Sequence, residues 1–319
     1  MNRGLLGAAC AFTAAAIWGG MYVVTDVVLE VVPPATLLAL RLLVAWLALL
    51  GVYFVRRGPL IARRDLPEMV AIAFVGFGVS LLAQFGGTKL STAAAGAVIT
   101  SATPAFIILF AWPLLREAPS LPKLAGLALA TIGVLRISLA GDQLATQQAR
   151  DPLLGNLLLV AAAVAWALYT VLARRAARRY STLAITLSVT AAGLLIVAPV
   201  ALVELQTQPV GALTPGVIAG IGYVGVGSTA IALYLWNKSF ELLDAATASL
   251  FFFAQPVVGA LLSAIVLREA LGLSFFVGAA LVAAGVLLAM AANRQPLCAN
   301  GWQRIKVNKR TASSPGEIT

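Results

Sequence analysis

The sequence predicts an all-α integral membrane protein with ten transmembrane helices, formed by two inverted five-helix repeats. Three observations carry this expectation: an apolar composition, ten apolar stretches of spanning length, and a duplication that divides those stretches five and five. The chain has 319 residues, 61% hydrophobic and 11% charged, with a mean hydropathy of +0.96. A soluble chain carries roughly twice that charged fraction, so lipid must be the solvent for most of this one. The chain has no histidine, which excludes Ser-His-Asp and Cys-His catalysis, HExxH metalloproteases and imidazole metal sites. Cys10 lies in an apolar stretch and Cys298 in a polar tail, so they suggest neither a disulfide framework nor a CxxC site. No cofactor, metal or enzymatic activity is expected.

A spanning helix needs about 20 mostly apolar residues. The first five stretches run about 5–25, 34–55, 68–87, 93–115 and 120–140. The second five run about 153–173, 183–203, 214–236, 246–267 and 271–292. Between them fall prolines, glycines and charges, as in Val32-Pro33-Pro34 and Arg56-Arg57-Gly58-Pro59. The expected organisation is therefore a repeat over residues 1–140, a linker over 141–152, a second repeat over 153–292 and a basic, disordered tail over 293–319. Arg3, the apolar run after it and Ala14-Ala15-Ala16 imitate a cleavable signal peptide. The first stretch has a counterpart later in the chain, which favours a retained span.

The net charge of +10 records topology. With ten spans, seventeen Lys and Arg residues fall on the side of both termini and four on the other, with Arg41 left inside a span. That bias places both termini in the cytoplasm. It also suits contact with anionic lipid head groups, and nothing asks for nucleic acid.

A shift of 152 residues lays 85–135 on 237–287 without a gap, and about a third of the positions are identical. The matches include Pro104 with Pro256, Leu115-Arg116-Glu117-Ala118 with Leu267-Arg268-Glu269-Ala270, Gly126 with Gly278, and Gly133 with Gly285. A small change of offset lays Trp18 on Trp166. An odd number of spans repeated in tandem turns the second copy upside down, a recurring build of secondary transporters.

In these features the chain resembles the drug/metabolite transporter superfamily, in its EamA-type ten-helix branch. The resemblance rests on Ala16-Ile17-Trp18-Gly19, on Pro34 followed by Arg41, on the Ala-rich segment before Pro104, on Leu115-Arg116-Glu117, and on Gly126 and Gly133. Trp166, Pro256, Leu267-Arg268-Glu269, Gly278 and Gly285 repeat it in the second half. The resemblance implies a metabolite exporter, with amino acids among the cargoes of its relatives. It also implies a cavity lined by spans one, three, four, six, eight and nine. The second half departs from the pattern at the Arg41 position, where Leu187 falls. No Asp or Glu lies at the centre of a span, which disfavours the membrane-embedded glutamate chemistry of the small multidrug exporters in the same superfamily.

Several residues are candidates to touch cargo. Arg41 lies seven residues past Pro34, roughly 10 Å along its helix. An Arg at that depth usually faces a cavity or a partner, so it either anchors a carboxylate or phosphate, or snorkels outward or pairs with Asp26 or Glu30. Trp18, Tyr22 and Thr25 share one helical face, and Trp166, Tyr169 and Thr170 mark the corresponding region of span six. Such faces can stack on cargo or simply pack helices. Phe77, Ser80, Gln84 and Thr88 share a face of span three, and Tyr234 stands in span eight. Pro104 and Pro256 each free the carbonyl four residues earlier, at Thr100 and Phe252. Thr103 and Gln255 precede those prolines and offer polar groups beside them. The Arg116-Glu117 and Arg268-Glu269 pairs lie at helix ends as structural or gate-closing ion pairs.

The expectation is a carrier of a small metabolite, an amino acid first, exported across the bacterial inner membrane by alternating access. A passive pore and a membrane-embedded lipid-processing enzyme are the alternatives. The partners are the cargo and the lipids, and a monomer and a homodimer both fit.

Overall fold

The computed structural model describes residues 3–91, 99–140, 151–267 and 273–293. Among them every regular element is helical. Helix α1 is Arg3–Leu29 and α2 is Pro34–Arg56. Helix α3 opens with a 3-10 turn at Arg63–Asp65, runs Leu66–Ala73, takes π winding over Phe74–Leu81 and ends as Leu82–Leu90. Helices α4, Thr103–Leu115, α5, Leu121–Ala140, α6, Pro152–Ala176, and α7, Thr182–Thr207, follow. Helix α8 runs Pro215–Gly222, turns π over Tyr223–Ile231 and continues as Ala232–Leu242. Helix α9 is broken: Ala245–Leu250, a 3-10 turn at Phe251–Phe253, then Ala254–Leu267. Helix α10 is Leu273–Asn293.

Seven helices among the described residues are long and apolar enough to cross a membrane, and Thr103–Leu115 and Ala245–Gly259 are apolar but shorter. Large apolar side chains such as Leu47, Phe54, Phe74, Leu195, Leu202 and Leu287 are exposed on the outside. In water such a coat would aggregate; it suits a bundle whose solvent is lipid.

Local chemistry explains the ends. Pro34, Pro152 and Pro215 sit in first turns, where a missing N–H costs nothing. Asp151, Ser181, Thr214 and Asp244 accept the N–H three residues on and cap α6, α7, α8 and α9. Helices α2 and α4 end at Arg57 and Arg116 in the left-handed region, with φ 46° and 60°. An aqueous end suits arginine at such a cap. Glu204 of α7 reaches the start of α2, accepting from the amides of Ala35 and Thr36 at 3.1 and 2.8 Å and from the Thr36 hydroxyl at 2.9 Å. A carboxylate on a helix N-terminus satisfies donors that the helix leaves open.

Expected span four differs. Residues 92–98 lie outside the described residues, and a turn at 101–102 precedes α4. Pro104 and Pro256 accordingly begin helical segments and do not kink continuous ones. The carbonyl of Phe252 is not freed as expected, because it accepts from the amide of Ala254.

Packing pairs α5 with α10, α2 with α7, α1 with α8 and α9, and α6 with α3 and α4. Glycines let these backbones approach. A Cβ at Gly126 would stand 2.6 Å from the Gly285 carbonyl oxygen, and one at Gly133 would stand 2.5 Å from that of Gly278. We expect Gly133→Val to lower stability by about 1–3 kcal/mol, read as an earlier thermal transition of the detergent-solubilised protein. Gly51→Ala, where nothing stands within 4 Å of an added Cβ, should leave that transition unchanged or raise it.

Candidate functional site

Between the helices lies a cavity with about 110 Å³ open to water centres. A single water needs about 10–15 Å³ on that measure, so the space suits several waters or one small molecule. Trp18, Met21 and Thr25 line it from α1, Arg41 from α2, and Phe77, Ser80, Gln84 and Phe85 from α3. Thr100 comes from just before the turn that precedes α4, Thr103 from the start of α4, and Ala162, Ala163 and Trp166 from α6. Ser228, Thr229 and Leu233 come from α8, and Phe252 and Gln255 from the break in α9.

One wall is aromatic. Trp18 stands 5.8 Å from Trp166 and 5.3 Å from Trp236, and Trp236 stands 4.9 Å from Phe240 and 5.7 Å from Phe252. Tyr169 stacks behind Trp166 at 4.9 Å. Behind this layer the buried polar groups satisfy one another. Trp236 Nε1 donates to Thr170 Oγ1 at 3.3 Å, and Asn237 Nδ2 donates to Tyr169 at 3.3 Å and to Thr186 at 3.1 Å. The Trp18 indole donates to the Ser228 carbonyl at 2.8 Å.

Arg41 is 7% exposed. Its Nε donates to Thr229 Oγ1 at 2.8 Å and its Nη2 to Ser228 Oγ at 3.2 Å. Two features of α8 make this contact. A Cβ at Gly225 would meet Val44 of α2 at 2.5 Å, so glycine there lets the helices close up. Ser228 and Thr229 lie in the π-wound stretch of α8, where Thr229 Oγ1 donates to the carbonyl of Val224 five residues earlier at 2.8 Å.

Among the described residues, three residues of the lining each hold a buried polar atom with no partner: Thr25 Oγ1, Trp166 Nε1 and Gln255 Nε2. No Asp, Glu or Lys stands among the described lining residues.

The end where α3 and α9 begin and α4, α6 and α8 finish is the basic end. There Glu117 Oε1 pairs with Arg174 Nη2 at 2.5 Å, while Glu117 Oε2 accepts the Ala245 amide of α9 at 2.9 Å. Arg174 also donates to the carbonyls of Phe240 and Leu243, and Arg178 to that of Leu115 at 3.1 Å. Lys123 pairs with Asp244 at 2.8 Å, and Arg179 with Asp65 and Glu68. Burial alone would raise the Asp244 carboxyl pKa, but Lys123 and Thr247 outweigh it and hold it below the ordinary value.

Of the residues expected from the sequence, Trp18, Arg41, Gln84, Thr100, Thr103, Trp166 and Gln255 line one cavity. Tyr169 is fully buried behind Trp166, and Tyr234 is half-buried outside the lining. The side chain of Tyr22, together with Arg268 and Glu269, lies outside the described residues. Glu117 pairs with Arg174 across the bundle, and its neighbour Arg116 is exposed. Ser228, Thr229, Met21 and Phe85 were not expected; the run of glycines in α8 was the signal that side chains near it approach another helix closely.

Comparison with known proteins agrees with this build. The EamA-like transporter family matches residues 5–139 and again 153–291. The uncharacterized transporter YetK of Bacillus subtilis is 30% identical over 296 residues, 91% of this chain and 89% of its own. A Salmonella typhimurium protein named "probable amino-acid metabolite efflux pump" is 27% identical over 85% of this chain and 90% of its own. A solved crystal structure at 23% identity superposes with a TM-score of 0.77 over 91% of this chain and 99% of that one, a likeness of fold. Relatives and family alike are named transporters, and none of these names is that of an enzyme. The chain belongs to the EamA-like transporter family.

Proposed function

We propose that the protein is a secondary transporter of a small metabolite, an amino acid being the first candidate, exporting it across the cytoplasmic membrane by alternating access. The observation that carries this is the cavity itself. Its lining comes from both halves of the chain, and it ends at an aromatic layer backed by ion pairs. From that layer it extends away from the basic end, because Thr25 and Gln84 stand farther along α1 and α3 than Trp18 and Phe77. A pore would need a continuous polar path, and here Trp236, Phe240 and the Glu117–Arg174 bridge interrupt one. Amino-acid export draws its support from one relative's name.

The architecture in this reading is ten spans in two inverted repeats, 1–140 and 153–292, joined by 141–152. The seventeen-to-four charge bias then puts both termini, the tail 293–319 and the basic end in the cytoplasm. Packing supports it. Gly126 meets Gly285, the counterpart of Gly133, and Gly133 meets Gly278, the counterpart of Gly126. A pseudo-two-fold axis makes such crosswise contacts. The π windings fall in the third helix of each half, and the family matches twice.

Proteoliposomes loaded with one unlabelled amino acid should accumulate the matching tracer transiently above equilibrium. Tracer that only equilibrates, indifferent to internal cargo, would mean a pore. Arg41→Ala should lower the initial rate by about tenfold or more, since a charge-assisted contact to cargo is worth about 1.5–3 kcal/mol; an unchanged rate would remove Arg41 from cargo binding.

The closed end has its own test. In a Cys298→Ser background the buried Cys10 is the sole thiol. Glu117→Ala removes both the bridge to Arg174 and the acceptor of the Ala245 amide at the start of α9, and should speed maleimide labelling of Cys10 by about fivefold or more. Unchanged labelling would mean that this bridge does not hold the end shut.

A further inference from the structure

We propose that the cavity recognises the carboxylate end of its cargo, sets the apolar body against the aromatic layer, and supplies no carboxylate among its described residues to pair with an ammonium group. This rests on the transporter reading above and names the chemistry that its site selects.

Three unpartnered atoms carry the inference. Gln255 is 5% exposed and Thr25 8% exposed; both residues line the cavity, and the Nε2 of one and the Oγ1 of the other are buried without a partner among the described residues. Trp166, a lining residue of α6, likewise keeps its Nε1 buried without a partner among the described residues. A buried donor left unmade is costly, so each calls for an acceptor from water or cargo. An indole N–H can only donate. Gln255 Nε2 likewise offers two hydrogens, and the Thr25 hydroxyl can turn to donate. The complementary group must present several lone pairs within a small volume. A carboxylate has about four lone-pair sites and no hydrogens to give.

The pairing of Trp18 shows that the free indole is not simply loose packing. Trp18 and Trp166 hold corresponding positions in the two halves. The Trp18 indole donates to the Ser228 carbonyl at 2.8 Å. On the other side, the Ser80 hydroxyl of the matching π segment donates to Ala162 O at 2.8 Å, and Trp166 is left with its donor unspent. The asymmetry therefore opens a donor on one side of the cavity.

Charge points the same way. Arg41 brings a buried positive charge to the lining, and the described lining holds no Asp or Glu to oppose an ammonium. Aromatic faces attract cations weakly, but here they share the space with the guanidinium. An amino acid would be held through its carboxylate, and its deaminated counterpart should bind at least as tightly.

A matched set of ligands tests this on the full-length protein in nanodiscs, followed by intrinsic tryptophan fluorescence. 3-Phenylpropanoate keeps the carboxylate, phenethylamine keeps the ammonium, phenylalanine keeps both, and 3-phenylpropan-1-ol keeps neither. We expect 3-phenylpropanoate to bind at least as tightly as phenylalanine, and phenethylamine and the alcohol to bind about tenfold more weakly or worse. Trp166→Phe keeps the ring and removes the N–H, and Gln255→Leu removes the amide. Each should weaken 3-phenylpropanoate by about fivefold or more and leave the alcohol unchanged. Tight binding of phenethylamine, or phenylalanine binding about tenfold tighter than 3-phenylpropanoate, would overturn the proposal. So would failure of every ligand in the set to bind while amino-acid counterflow persists, and the transporter reading would then stand. Absence of both counterflow and binding would remove the transporter reading as well.

Discussion

A guanidinium buried in an apolar bundle has to be held by another helix, and the contact of Arg41 with Ser228 and Thr229 organises the centre of this protein. An isolated Arg at the middle of a bilayer costs at least about 2.5–3.5 kcal/mol on insertion scales. Two hydroxyls from α8 offset part of that cost, and reaching them needs close approach of α2 and α8, which Gly225 permits. Both hydroxyls lie in the π-wound stretch of α8. The same segment offers its Ser228 carbonyl to Trp18. One short stretch of α8 thus fixes both the charged and the aromatic parts of the cavity.

The fold was legible because membrane solvent imposes long apolar runs, and runs are local. Pro34–Arg56 and Thr182–Thr207 could be read almost to their ends, since prolines, a serine cap and charges bound them. The break in α9 was legible only as a proline. Sequence shows that Pro256 cannot continue a helix ladder, but whether the chain kinks or restarts depends on the 3-10 turn of Phe251–Phe253 packing beside Trp18 and Trp236.

The site was legible residue by residue and not contact by contact. Arg41, Trp18, Trp166, Gln84 and Gln255 stand out because polar or bulky groups are rare in such spans, and rarity is visible in one dimension. Their partners are not. Arg41 meets residues 187 and 188 positions away, and Glu117, adjacent to Arg116, pairs instead with Arg174, 57 positions on. The geometry at the end of α4 explains the choice. The left-handed turn at Arg116 sends that side chain outward, while the amide of Glu117 bonds back to Ala111 at 3.3 Å and its carboxylate meets α6 and the start of α9.

The two proposed repeats share a frame and divide the chemistry. Where the first half places Arg41, the second places Leu187, which packs with Ala45, Leu49 and Ala230 in a purely apolar cluster. Both halves supply a tryptophan, yet only one indole is satisfied from within. In the proposed reading, symmetry of the frame lets two arrangements of the same helices have similar energy, because each half can take the packing the other holds. Asymmetry of the lining is what a small, asymmetric cargo requires, since one end of it is polar and the other is not. In the proposed reading, mutation at the glycine crossings would therefore act on both arrangements together, whereas mutation at Trp166 or Gln255 would act on cargo recognition while the frame persists.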